Sequence, residues 1–224
     1  MKIIKTNEIE NHHIFALIVG SSGIGKTSLV KTLPHDETII ISLESGLLSV
    51  KDVSIDAVEI DSYEDLVKTI SYIKDNCADK YKHIYIDSLT ELSESLFSEL
   101  SIKYPDKKDS FTLYDEYKKK LVSLLKAFRG LTQFNIWLTC LDKLEQKDFS
   151  NTISMDMHQK SLSKSIPKLF DEVFYMTTVE HDGEMKRIIA TDNTIIDFAK
   201  DRSSKLNKYE LPNLGNIYNK IFNS

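Results

Sequence analysis

The chain has 224 residues, a formal net charge of −5 at pH 7, 41% hydrophobic residues and 28% charged residues. This composition is typical of a globular protein, and we expect one domain over residues 1–224. No apolar run is long enough to span a membrane and the first residues do not resemble a signal peptide, so we expect a cytoplasmic protein without membrane contacts. The acidic balance argues mildly against a protein that coats nucleic acid, and the two cysteines, Cys77 and Cys140, are too few for a disulfide framework.

The first motif in the chain is a glycine-rich loop. Residues 20–27 read GSSGIGKT, which matches the pattern G-x-x-x-x-G-K-[ST]. Residues 14–19 are apolar and predict a buried strand, and residues 28–33 predict a short helix. A strand, this loop and a helix in that order indicate a P-loop that binds the phosphates of a nucleotide. A glycine turn that binds nothing would not explain a lysine and a threonine at this spacing.

The P-loop predicts ATP and Mg²⁺ as cofactors. Glycines allow successive backbone N–H groups to turn inward around a phosphate. Lys26 should bridge the β- and γ-phosphates, and the Thr27 hydroxyl should bind Mg²⁺. The predicted nucleotide-binding residues are Gly20, Ser21, Ser22, Gly23, Ile24, Gly25, Lys26, Thr27 and Ser28.

The next elements alternate between strands and helices. Further strands are predicted over residues 38–43, 58–60, 83–87 and 135–140. Helices are predicted from Ser62, as N-cap, to about Cys77, from Ser88 onward, and over residues 112–130. This alternation predicts an α/β fold with a mostly parallel central sheet flanked by helices.

The C-terminal third begins with a segment of weak pattern. Residues 142–160 are polar and are predicted to form a long loop, which in a compact domain is usually functional or disordered. A short helix is predicted over residues 161–170. Residues 173–179 and 185–190 flank a His-Asp-Gly turn and predict an antiparallel hairpin. A last strand is predicted over residues 195–199.

Candidate catalytic side chains lie at the ends of predicted strands. Asp87 ends the strand of residues 83–87 and is predicted to hold Mg²⁺ beside Thr27. Glu44 follows the second strand, where a carboxylate can orient and deprotonate the attacking water. Thr139, at the end of the next core strand, is a candidate sensor of the γ-phosphate. A solvated glutamate and an ordinary core threonine remain the alternatives for the last two.

Lys200 and Arg202 form the last candidate pair. Their spacing places both side chains on one side of an extended segment. From a neighbouring subunit they would supply the positive charge of an arginine finger at the γ-phosphate. A solvated basic turn is the alternative.

With these motifs the chain resembles a RecA-fold ATPase. The glutamate of residues 42–46 (SLESG) resembles the catalytic base of RecA-like recombinases, and residues 200–202 (KDR) resemble the finger of DnaB-type helicases. More narrowly, the P-loop, residues 42–46, 84–90, 160–171, 199–203 and 211–214 resemble phage ATPases related to Sak-type single-strand annealing proteins. This resemblance implies a core-only recombinase fold, ATP-dependent binding of single-stranded DNA, and a role in annealing or recombination.

The resemblance also implies partners and a location. It implies a homo-oligomer with shared active sites, a single-strand-binding protein as helper, and the cytoplasm of a bacterial host. Two other functions stay open at this point. One is a nucleotide-switched module that recruits replication or recombination partners with little turnover. The other is a small-molecule kinase, which is disfavoured because the sequence lacks an arginine-rich lid.

Overall fold

The fold is known from a computed structural model, which describes residues 13–43, 46–147, 150–194 and 196–222. The strands are β1 (Phe15–Gly20), β2 (Thr38–Ser42), β3 (Asp56–Glu59), β4 (His83–Asp87), β5 (Asn135–Lys147), β6 (Ser150–Met155), β7 (Glu172–His181), β8 (Glu184–Ala190), β9 (Lys200–Asp201) and β10 (Tyr209–Glu210). The α-helices are α1 (Tyr63–Asn76), α2 (Leu89–Lys103), α3 (Ser110–Arg129), α4 (Lys160–Ser165) and α5 (Leu214–Phe222). Short 3₁₀ helices cover Thr27–Thr32, His35–Glu37, Leu47–Val50, Lys107–Asp109 and Ile166–Leu169. Among the described helices, none is both long enough and apolar enough to cross a membrane.

One mixed sheet organises the described residues. Its strand order is β10-β8-β7-β1-β5-β4-β2-β3. The strands from β7 to β3 in this order run parallel, and β8 and β10 are antiparallel to their neighbours. The predicted α/β fold, with a mostly parallel sheet and a C-terminal antiparallel hairpin, is therefore confirmed.

Both faces of the sheet are buried, as the unbroken apolar run of β1 predicts. Phe15, Leu17 and Val19 point to one face, where their core cluster includes residues of α1, α2, α3 and α4. Ala16 and Ile18 point to the other face, where the 3₁₀ helix after the P-loop and α5 pack. The carboxyl ends of the parallel strands lie together between these two layers, and the P-loop follows the carboxyl end of β1.

Serine caps set the starts of two helices. The Ser62 hydroxyl accepts a hydrogen bond from the Asp65 backbone N–H at 3.0 Å, and α1 ends at the C-cap Cys77, as predicted. The Ser88 hydroxyl caps α2 by accepting from the Glu91 N–H at 3.3 Å. Ser88 directly follows Asp87 through a cis peptide bond. The strand, its terminal carboxylate and the helix are thus joined without an intervening loop.

The predicted C-terminal hairpin is present and has a tight turn. Strands β7 and β8 pair from His181 with Glu184 to Tyr175 with Ala190. Asp182 and Gly183 lie between them with φ of 56° and 77°. Two successive positive φ values define the type of turn that matches the twist of a two-residue hairpin.

Two sequence predictions were wrong. Most of the described residues in 142–160 are not in a loop: β5 continues to Lys147 and pairs with β6 (Ser150–Met155) in a second antiparallel hairpin, and only residues 156–159 lack regular structure. Most side chains of this hairpin are polar, so it lacks the apolar alternation by which a strand is recognised. The predicted strand over residues 195–199 is absent from residues 196–199, and Ile195 lies outside the described residues. Ile196 and Ala199 are apolar because they are buried in the core, and the strand found there, β9, has only two residues.

Candidate nucleotide-binding site

The glycines of residues 20–27 shape a loop at the end of β1. Gly23 and Gly25 have φ of +74° and +106°, which other residues rarely adopt. Gly20 is confined for a different reason, since a Cβ there would lie 2.7 Å from the Met176 carbonyl oxygen of the neighbouring strand β7. The loop conformation therefore depends on glycine at each of these three positions.

Lys26 holds its charge within this loop. Its Nζ donates hydrogen bonds to the carbonyl oxygens of Gly20 at 2.7 Å and Ser21 at 2.9 Å. The buried Tyr85 hydroxyl, on β4, donates to the Lys26 carbonyl oxygen at 2.6 Å. The lysine is thus fixed from its side chain and its backbone, with the ammonium at the concave side of the loop where a phosphate would bind.

Asp87 joins the P-loop to two central strands. One of its carboxylate oxygens, Oδ2, accepts a hydrogen bond from the Thr27 hydroxyl at 2.6 Å. The other, Oδ1, accepts one from the Thr139 hydroxyl on β5. Asp87 is 4% exposed and Thr139 is fully buried. The structure brings these predicted residues together, and it places Thr139 against the carboxylate that is the candidate metal ligand.

The oxygen atoms of Thr27 and Asp87 fit Mg²⁺. This cation prefers oxygen ligands and usually takes one or two carboxylates of the protein, with water and substrate phosphates completing its shell. Among the described residues, no group of three or more His, Cys, Asp or Glu side chains forms a metal site. One hydroxyl and one carboxylate beside a phosphate loop agree with this pattern, whereas an all-protein cage would not.

A cavity of about 240 Å³ lies over the loop. Its walls come from the loop itself, from Asp87, and from Gly46, Ser49 and Leu141, which the sequence analysis did not select. The loop residues in its lining are Ser22, Gly23, Gly25, Lys26, Thr27 and Ser28. Gly20 and Ile24 instead pack against β7 and the core, so they support the loop from outside the cavity.

Glu44, the predicted catalytic base, lies outside the described residues. Its neighbours in sequence are placed: Ser42 ends β2, and Gly46 lines the cavity. Three positions in sequence, 43–45, which include Glu44, therefore separate the end of β2 from the cavity wall.

Lys200 and Arg202 are not brought to the P-loop of their own chain. Strand β9 pairs with the beginning of β7, whereas the P-loop follows the end of β1, which is parallel to β7. Arg202 donates to Asp171 Oδ1 at 2.8 Å, and Arg129 donates to the same oxygen at 2.7 Å. Burial, together with the nearby Arg202, lowers the pKa of Lys200. These cations form a separate cluster near the beginning of β7, at the end of the parallel strands that lies opposite the P-loop.

One cation beside the loop was missed by the sequence analysis. A Cβ built on Gly25 would lie 3.5 Å from Nη1 of Arg187, a residue of β8. Arg187 carries no motif, and its place is set by the pairing of β8 with β7 and of β7 with β1. Only the register of these three strands, which a single sequence does not show, would have revealed it.

This loop, the oxygen-bearing side chains beside it and the parallel sheet are those of a P-loop ATPase. Residues 12–203 match the model of a protein family described as the AAA domain, and the chain belongs to that family. P-loop ATPases of this kind generally use ATP and Mg²⁺. No curated protein matches the sequence significantly. A KaiC-like protein from the hyperthermophilic archaeon Pyrococcus horikoshii is similar in structure, with a TM-score of 0.44 and 14% identity over 79% of this chain and 77% of that chain.

Proposed function

We propose that this chain hydrolyses Mg²⁺-bound ATP and uses the cycle to act on single-stranded DNA in annealing or recombination. The observation that carries the ATPase part is the hydrogen-bonded set of Thr27, Asp87 and Thr139 directly beside the glycine loop. Thr27 and Asp87, whose oxygens suit Mg²⁺, and Lys26 line one small cavity, which supports the proposal.

The chemistry assigns one role to each group. When bound, Mg²⁺ would supply positive charge that offsets the charge developing on the terminal phosphates. Lys26 would exchange its carbonyl partners in the loop for phosphate oxygens, and the oxygens of Thr27 and Asp87 would hold the metal. Glu44 accepts the proton of the attacking water, for which its sequence position between β2 and the cavity wall is suitable.

The proposal of a DNA-binding arm rests on the hairpin of β5 and β6. Strand β5 carries Thr139 against Asp87, then Leu141 in the cavity wall, and then continues into the hairpin. The Thr90 hydroxyl, on α2, accepts a hydrogen bond from the Leu141 N–H at 2.9 Å and so ties the base of the hairpin to the helix that follows Asp87. A change at the γ-phosphate therefore has a short covalent route to an exposed arm.

Ion pairs between the hairpin and the residues that follow it suggest that its affinity for DNA is low unless a nucleotide is bound. Lys143 pairs with Asp156 at 3.1 Å, and Lys160 pairs with Glu145 at 2.5 Å. These lysines are already neutralised, and the chain as a whole is acidic, so the electrostatic attraction for phosphates is weak in this state. The same charges favour the second candidate function, a nucleotide-switched module that recruits a protein.

We also propose that the ATPase site is completed by a second copy of the chain. In one chain the cavity contains Lys26 but lacks Lys200 and Arg202, which lie at the opposite end of the parallel strands. That end of the sheet is suitable for facing the P-loop of a neighbouring subunit in a homo-oligomer. Asp171 holds the Arg202 guanidinium in a defined position for this role.

The test measures ATP hydrolysis with and without single-stranded DNA, and DNA binding with and without a non-hydrolysable ATP analogue. The proposal predicts that DNA accelerates hydrolysis and binds only with the analogue. Lys143→Glu, in the hairpin, should weaken this binding, whereas Lys118→Glu, on the exposed side of α3, should not. If DNA does not change the rate of ATP hydrolysis, and if DNA does not bind with or without the analogue, the ATPase activity still stands. That result would favour the nucleotide-switched module over the DNA-binding function.

A further inference from the structure

Arg187 is a cation that stands beside the phosphate loop at Gly25. With a Cβ built on Gly25, the distances would be 3.5 Å to Arg187 Nη1 and 3.9 Å to its Cζ. The side chain is exposed, and within the described part of the chain it has no ion-pair partner. An arginine without an ion-pair partner among residues 13–43, 46–147, 150–194 and 196–222 therefore lies beside the loop proposed to bind phosphates.

Strand register fixes this position. Gly20 is paired with Met176, Met176 with Ile189, and Thr178 with Arg187. Met176 and Ile189 belong to the core on the face that carries the 3₁₀ helix after the P-loop. Side chains two residues apart on a strand share a face, so Arg187 projects on that same side, one step beyond the end of β1.

The sheet order also fixes which end of a nucleotide would meet Arg187. Asp87 and Thr139 lie on β4 and β5, on one side of β1, whereas Arg187 lies on β8, on the other side. Thr27 and Asp87 would hold the Mg²⁺ that accompanies the terminal phosphates, so the γ-phosphate end would lie on the side of β4. The α-phosphate and the nucleoside then leave the loop on the side of β7 and β8.

The size of the cavity agrees with this direction. Its volume of about 240 Å³ is below the range of roughly 300–1,000 Å³ typical of sites for whole small ligands. No residue of β7 or β8 lines it among the described residues. The cavity thus accounts for the metal and the terminal phosphates, and the rest of the nucleotide needs contacts outside it.

We propose that Arg187 binds the α-phosphate of the nucleotide held by the P-loop of its own chain. The planar guanidinium presents several N–H donors, which suits phosphate oxygens. This inference rests on the proposed ATP site. Because ATP and ADP share the α-phosphate, Arg187 contributes to the binding of both, in contrast to a γ-phosphate cation such as the finger assigned to Arg202.

The experiment measures dissociation constants for ADP and for a non-hydrolysable ATP analogue, both with Mg²⁺, by calorimetry. Loss of a hydrogen bond to a charged group costs a factor of about 10 or more in affinity. Arg187→Gln should therefore weaken both ligands by about tenfold or more and by similar factors, and Arg187→Lys, which keeps the charge, should weaken them less. The matched control is Lys186→Gln, the neighbouring exposed residue whose side chain points to the opposite face; it should leave both constants unchanged.

Two results would overturn the inference. Unchanged constants for Arg187→Gln would show that the guanidinium does not touch the nucleotide, and a loss confined to the ATP analogue would place it at the γ-phosphate. Failure of the unmodified chain to bind either ligand would instead refute the proposed ATP site. Circular dichroism of each variant separates a loss of contact from a loss of fold.

Discussion

Glu172 is a buried carboxyl group whose ionisation should make stability depend on pH. It begins β7, is 1% exposed, and accepts a hydrogen bond from the Ser203 N–H at 3.3 Å. Its Oε2 atom has no hydrogen-bond partner among the described residues. Burial, with the nearby carboxylate of Asp201 as a second cause, raises the pKa of Glu172 from 4.5 to about 9.

The sign of the effect follows from proton release. Between pH 4.5 and about 9 the folded chain holds the Glu172 proton and the unfolded chain does not, so unfolding releases a proton. The free energy of unfolding therefore falls as pH rises, by at most about 1.4 kcal/mol per pH unit from this group. From pH 6 to pH 8 the loss is about 2–3 kcal/mol.

Glu172→Gln removes this titration and keeps the size of the side chain. Urea unfolding followed by circular dichroism, at pH 6, 7 and 8, should show a stability advantage of the variant that grows by about 2–3 kcal/mol over this range. Glu180→Gln, at an exposed position of the same strand, should follow the unmodified chain at every pH. If the free energies of unfolding of Glu172→Gln and of the unmodified chain change equally with pH, the argument that Glu172 is protonated in the folded state is refuted.

Three further predictions concern turnover. Glu44→Gln should bind Mg²⁺-ATP but release phosphate at least about a hundredfold more slowly, and normal turnover would exclude Glu44 as the base. Arg202→Ala should bind ATP normally and lose most turnover, about 10³-fold for a trans finger, and mixing it with Glu44→Gln should restore part of the activity. The control for Arg202→Ala is Arg129→Ala, which removes the other partner of Asp171. If verified mixed oligomers of Arg202→Ala and Glu44→Gln are no more active than either variant alone, the shared site is excluded. Thr139→Val should raise the Mg²⁺ concentration needed for half-maximal turnover and Thr139→Ser should not; equal Mg²⁺ dependence would deny Thr139 a role in orienting Asp87.

The sequence predicted those parts of the site that depend on short segments. The P-loop is recognised from four fixed residue types between a strand and a helix, and Asp87 from its place at the end of an apolar strand. The caps at Ser62 and Ser88 depend on hydrogen bonds within four residues. Local motifs of this kind carry their own structural information.

Features that depend on distant pairing could not be predicted in the same way. The hairpin of β5 and β6 has few apolar residues, so its strands lack an alternating signal and are recognised only by their pairing. Arg187 meets the P-loop through the register of three strands, and Arg202 meets Asp171 across 31 positions of sequence. The opposite error concerns residues 196–199. Their apolar side chains predict a strand, but Ile196 and Ala199 are buried in the core without belonging to a strand.

The central claim is that the loop of residues 20–27 hydrolyses ATP, and phosphate release by Lys26→Ala tests it most directly. Lys26 lies in the cavity, whereas Lys31, on the following 3₁₀ helix, pairs with Asp52 at the surface and serves as the matched control. We predict that the unmodified chain and Lys31→Ala release phosphate from Mg²⁺-ATP at similar rates, and that folded Lys26→Ala does not release it above background. Phosphate release by Lys26→Ala at the rate of the unmodified chain would contradict the claim.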